Sequence, residues 1–135
     1  MSRRNYYTGK YVLDKEEFLH AKYYALRYNK WRDEYEALSD TSKGIRYDVD
    51  RVQTSGDFDA VEANGVRMAE LSKKIELIEG TAKEADEELA AWILQGVTND
   101  YATYKYLSMV KGIPCGKDKF YLARRRFYYL LAGKI

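Results

Sequence analysis

Apolar residues recur along most of this chain in steps of three and four, the spacing that places them on one face of a helix. A first stripe passes through Phe18, Ala21, Ala25, Tyr28, Trp31, Tyr35 and Leu38. In front of it, Asp14-Lys15-Glu16-Glu17 puts an acid at the N-cap and Glu three residues on. That is a capping box, and it predicts a helix from residue 14 over about 24 residues, or about 36 Å. A second stripe runs through Phe58, Val61, Gly65, Met68, Leu71, Ile75, Ile78, Ala82, Ala85, Leu89 and Trp92. The stretch between the stripes, residues 39–56, is rich in turn and cap formers and reads as a long connection, with Thr54, Ser55 or Asp57 capping the next helix. Gly80 offers a break, with Thr81 and Glu84 as a capping box beyond it, but the stripe keeps phase across it. The spacing therefore predicts one helix, kinked at most, as far as Gln95 and about 57 Å long. Gly96-Val97-Thr98-Asn99-Asp100 ends it.

Two shorter helices follow. The first covers residues 101–110. Gly112-Ile113-Pro114-Cys115-Gly116 must then break the chain: Pro114 lacks an amide hydrogen and disfavours helix at Ile113, while Gly116 serves as an N-cap without a side chain. The second covers 117–131, with Phe120, Ala123, Phe127, Leu130 and Leu131 as its apolar positions. Its other faces carry Lys117, Asp118, Lys119, Tyr121, Arg124, Arg125, Arg126, Tyr128 and Tyr129. Few alternating Val/Ile/Thr runs occur, so the expected fold class is all-α. The expected architecture is an N-terminal arm (1–13) laying Tyr6, Tyr7 and Tyr11 on the body, a long antiparallel helical hairpin of coiled-coil type (14–96), and a C-terminal helix-turn-helix (97–135). Stripes on two helices leave apolar surface that a two-helix body does not bury, so a homodimer is expected.

Charge changes this picture most. The whole chain carries +2, but residues 101–135 hold eight Lys/Arg against one acid, a net of +7, which leaves −5 on the first hundred residues. A basic end on an acidic body is the electrostatic footprint of a partner rich in phosphate. The 46% apolar content is enough for one modest core, and the 14 tyrosines supply rings whose hydroxyls reach water. The single Cys115 has no partner for an internal disulfide. No apolar run reaches the roughly 20 residues of a membrane span, so a cytoplasmic place in a bacterial host cell is expected. His20 lies off the first stripe, away from any ligand spacing, and reads as a surface imidazole. Glu84, Asp86, Glu87 and Glu88 read as a solvated helix face. No nucleophile–base set, Gly-rich phosphate loop or ligand cluster occurs, so neither an enzyme nor a cofactor or metal is expected.

Asp50-Arg51-Val52-Gln53-Thr54-Ser55, then residues 57–59, a long charged amphipathic helix and a C-terminal helix-turn-helix together resemble small phage and prophage proteins of the ArpU/RinA-like transcription-regulator type. The likeness runs loosely over residues 40–131. These proteins are regarded as related in their C-terminal part to the promoter-reading domain of sigma factors. The resemblance implies a supporting helix over 103–110, a turn at Gly112-Ile113 and a recognition helix over 117–131. The turn carries Pro114-Cys115 beyond the sigma-type length, and tyrosines replace the usual small and aliphatic core residues.

The expected function is thus a DNA-binding transcriptional regulator that acts by binding alone, with its hairpin as spacer, dimerisation surface or RNA-polymerase contact. Lys111, Lys117, Lys119 and Arg124, Arg125 and Arg126 would hold phosphates of double-stranded DNA, and Lys117, Lys119, Tyr121 and Arg125 would reach base edges. Helical geometry at 100° per residue puts Arg124 at the edge of the buried stripe and Arg125 and Arg126 well outside it, with Arg125 pointing away from the protein. The alternative is a virion-assembly or packaging protein, or a coiled-coil adaptor without sequence-specific DNA binding.

Overall fold

A computed structural model describes the backbone of residues 11–47 and 55–135 and the side chains of 11–40 and 61–135. Within these bounds the chain is all-helical: α1 (Lys15–Leu26), α2 (Tyr28–Tyr47), α3 (Ser55–Ala85), α4 (Ala90–Thr98), α5 (Tyr104–Met109) and α6 (Lys117–Ala132). No helix among the described residues is long and apolar enough to cross a membrane.

The first helix begins where the capping box put it. The Asp14 carboxylate accepts the Glu17 amide at 2.8 Å, and the Glu17 carboxylate accepts the Asp14 amide at 3.2 Å. It does not run on to Leu38 as one helix, however. At Arg27 the amide turns to the Tyr24 carbonyl (3.2 Å), a tighter three-residue bond that interrupts the ladder. The apolar phase survives the interruption, since Ala21, Ala25, Tyr28 and Trp31 are all buried. Beyond Leu38, the stretch expected as a connection is helical to Tyr47. Ile45 stands seven residues after Leu38, in phase with the stripe, and that continuity outweighs the weak loop preference of the Ser, Asp and Thr residues between. The remainder of the connection, including the Asp50–Ser55 motif and the candidate caps Thr54, Ser55 and Asp57, lies outside the described side chains, as do Tyr6 and Tyr7.

The second stripe is buried at Leu71, Ile78, Ala82, Ala85 and Leu89, whereas Val61 and Gly65, expected on the same face, are exposed. Gly80 lies inside α3 and breaks nothing. Thr81 is no cap: its hydroxyl donates to the Leu77 carbonyl at 2.6 Å, within its own helix. The break comes instead at Asp86, whose carboxylate accepts the Leu89 amide at 3.1 Å. An Asp side chain competes with the helix ladder for a backbone donor, and here it ends α3 short of the expected Gln95.

The described residues form two compact units, 11–28 with 77–135, and 29–47 with 55–76. In the first unit α1 packs on α6 and α4, α4 also packs on α5 and α6, and α5 packs on α6. Tyr28 donates to the Glu79 carboxylate, and Lys134 donates to Thr81 (3.1 Å) and to Glu84 (2.6 Å), so both ends of this unit are tied to the last turns of α3. In the second unit Trp31 and Leu71 are buried, the Lys74 ammonium lies 5.1 Å from the Trp31 ring centre, and Arg67 forks onto Glu34 with bonds of 2.7 and 3.0 Å.

Candidate nucleic-acid interface

The basic end is built on a small aromatic core. Thr98 and Asn99 close α4 by donating to the carbonyls of Leu94 (2.6 Å) and Gln95 (3.1 Å). Thr103 then caps α5, which starts at Tyr104 and not at Tyr101, by accepting the Tyr106 amide at 3.3 Å. After α5 the chain turns through Gly112 at φ +69°, a left-handed conformation that glycine adopts without Cβ strain. The Leu107 carbonyl receives the amides of both Lys111 (3.2 Å) and Ile113 (3.1 Å), folding the turn back on its own helix. This seats Ile113 in a cluster with Ala102, Leu107 and Phe120, and the Tyr104 hydroxyl donates to the Cys115 carbonyl at 2.8 Å. Gly116 supplies the N-cap of α6. The α4 backbone comes close above: a Cβ placed on Gly96 would lie 3.0 Å from the tip of the Phe120 ring.

Helix α6 presents three faces. Phe120, Ala123, Phe127 and Leu131 are buried as expected, and Tyr128 joins them. Tyr128 belongs to the core because its ring stacks edge-on with Phe18 and Phe127, with the Arg124 guanidinium over its face. Burial pushes its phenol above the usual range, against the opposing pull of Arg124. The second face, Lys119, Leu122, Arg126 and Tyr129, again at steps of three and four, is exposed.

The third face lines a cleft of about 560 Å³. From α6 it takes Lys117, Tyr121, Arg124 and Arg125, with Asp118 as its acid. Tyr11, Leu13 and Phe18 form the facing wall. Arg124 lies at the core edge as expected, its guanidinium 5.7 and 5.6 Å from the Tyr121 and Tyr128 ring centres. Arg125 does not point away from the protein: it is half-buried and lines the cleft, because α1 and the preceding arm cover that side of α6. Arg126 is the exposed member of the run, 5.7 Å from the Tyr11 ring centre. Lys111, Lys117 and Lys119 are exposed, and Tyr121 is half-buried against Phe120.

Sequence reasoning missed the wall formed by Leu13 and Phe18. Its signal was present: Leu13 precedes the Asp14 N-cap and Phe18 is the fourth helical residue, the two positions of a hydrophobic staple. Of the eight cations in 101–135, Lys134 is paired with Glu84, while among the described residues no carboxylate lies within 4 Å of the other seven. No group of three or more His, Cys, Asp or Glu among the described residues is placed to hold a metal ion. Burial raises the Cys115 thiol above its ordinary range, which disfavours the thiolate. The chain matches no protein-family model, no curated protein and no solved structure.

Proposed function

We propose that the chain is a DNA-binding regulator of phage or prophage type, in which α5, the Gly112 turn and α6 act as a helix-turn-helix on double-stranded DNA. The observation that carries this reading is the set of seven cations on one end of the chain without carboxylate partners among the described residues. Cations without carboxylate partners gain most from phosphate, through release of the condensed counterions. The likeness to ArpU/RinA-like regulators supports the same reading.

The faces of α6 reassign the roles. The outer face meets the groove: Lys119 and Arg126 reach phosphates and base edges, Leu122 offers apolar contact to a thymine methyl, and Lys111 in the turn holds the backbone. Residues 29–76, with Val61 and Val66 exposed, provide the surface through which copies of the chain associate or contact RNA polymerase.

The test is titration of the full chain with the DNA upstream of its own gene against scrambled DNA of equal length, at several salt concentrations. Tighter binding to the native sequence is expected, and Arg126→Ala should lower the salt slope by about one. Equal binding of both duplexes at every salt would replace the regulator with a packaging or architectural protein. Absence of binding would leave the coiled-coil adaptor.

A further inference from the structure

The cleft on the inner face of α6 has no part in contact by the outer face, and its lining is specific in kind. Three cations, Lys117, Arg124 and Arg125, stand against one acid, Asp118. Four rings, Tyr11, Phe18, Tyr121 and Tyr128, come from two separate parts of the chain. Arg124 is already held over two of those rings. Lys117 and Arg125 have no carboxylate within 4 Å among the described residues. The volume of about 560 Å³ falls within the roughly 300–1,000 Å³ of small-molecule sites.

A ligand suited to this lining is planar and aromatic at one end and anionic at the other. Rings and an arginine plane accept the flat face of a base without regard to its identity, and cations accept its phosphate. Extended duplex does not fit, because its bases are stacked inside the helix and present only their edges. We propose that this cleft is a binding site for a single nucleotide unit, its base stacked among Tyr11, Tyr121 and Arg124 and its phosphate held by Lys117 and Arg125. The unit is either a free mononucleotide or the unstacked 5′-phosphorylated end of a strand. The proposal goes beyond the duplex-binding reading, and of the outer face it involves Arg126 and Tyr129 alone, which lie against the Tyr11 ring.

The full chain is titrated calorimetrically with deoxyadenosine 5′-monophosphate, deoxyadenosine, inorganic phosphate and phosphotyrosine. The mononucleotide should bind at least tenfold more tightly than the nucleoside or phosphate alone, since it uses both halves of the site. Arg125→Gln and Tyr11→Leu should each weaken it about tenfold, as expected for loss of one charged contact or one stacking surface. Lys119→Gln, exposed and outside the lining, should leave it within twofold. Thermal melting of each variant checks that the fold is kept, and Lys117→Gln, at an exposed position, repeats the test should Arg125→Gln melt early. Binding no tighter than phosphate, equal losses for Arg125→Gln and Lys119→Gln, or phosphotyrosine binding as tightly as the nucleotide would each overturn the proposal. A 5′-phosphorylated single-stranded decamer settles the source: tighter binding than the mononucleotide assigns a strand end, and equal binding assigns the free nucleotide. Blunt duplex in the same series keeps the two readings apart, because Lys119→Gln weakens duplex if the outer face works and Arg125→Gln weakens nucleotide if the cleft does.

Discussion

The two compact units are held by different physics. Residues 11–28 and 77–135 converge on a common set of fully buried side chains, among them Phe120, Phe127, Ile93, Leu107 and Leu131, drawn from three helices. In residues 29–76 the buried hydrophobic side chains among those described are Trp31 and Leu71, joined by the Arg67–Glu34 pair and by Lys74 over Trp31. Apolar burial is worth about 25 cal/mol per Å², whereas ion pairs exposed to water are each worth about 0–1 kcal/mol. Stability should therefore concentrate in the first unit, and the second should open more readily.

The sharpest break of this comparison is Phe120→Ala. Its ring is fully buried where α4, α5 and the turn meet, so truncation should cost about 3–5 kcal/mol. Hydrogen exchange read peptide by peptide should show lost protection in 11–28 and 77–135, with 29–76 changed less. Equal loss across both would mean that they unfold as one cooperative body and that the contrast in burial does not govern stability.

A finer probe is Gly96. A methyl group here meets the Phe120 ring at 3.0 Å, and a fully buried ring has little room to give. Overpacking costs about 1–3 kcal/mol, partly offset by the roughly 1 kcal/mol that alanine gains over glycine inside a helix. Gly96→Ala should thus be destabilising by about 1 kcal/mol in thermal melts. In a Phe120→Leu background the same change should become neutral or stabilising, a coupling that two independent sites would not show.

Most helices, the α1 capping box, the Gly116 restart and the four main core positions of α6 were legible in the pattern, because each depends on residues within a few positions of one another. The chain's return upon itself was not. A stripe states which face is buried and leaves open what buries it, so the staple pairing of Leu13 with Phe18 did not reveal that both would line a cleft with Arg125. The interruption at Arg27 was hidden for a related reason: a single three-residue hydrogen bond alters the ladder without shifting the apolar phase. Tyr128 was misplaced because a phenol counts as polar by its tip, while its ring packs like phenylalanine against Phe18 and Phe127. Lys134 was counted in the basic footprint, yet it is spent on Glu84, fifty residues away in sequence.

The smallest expected effect belongs to the softer unit. Arg67 holds the Glu34 carboxyl below its usual range, chiefly by the forked hydrogen bond, which outweighs the opposing desolvation, with the charges of Arg67, Lys30 and Lys74 adding smaller pulls. A carboxyl lowered in the folded state releases its proton more readily there than in the unfolded chain. Its contribution to stability is therefore present above the unfolded carboxylate range and is lost as the pH falls through the lower folded value. Arg67 stays charged throughout and adds no titration of its own in that window. Glu34→Gln keeps the size and a hydrogen-bonding oxygen but removes the titrating charge. Melting the wild type and Glu34→Gln side by side from neutral pH into acid should show a small advantage for the wild type at neutral pH that shrinks to nothing below the carboxylate range. The advantage should also fall with added salt, since both side chains are more than a third exposed. A gap that is independent of pH would mean that Glu34 acts through packing alone, and the second unit would then rest on apolar contact as the first does.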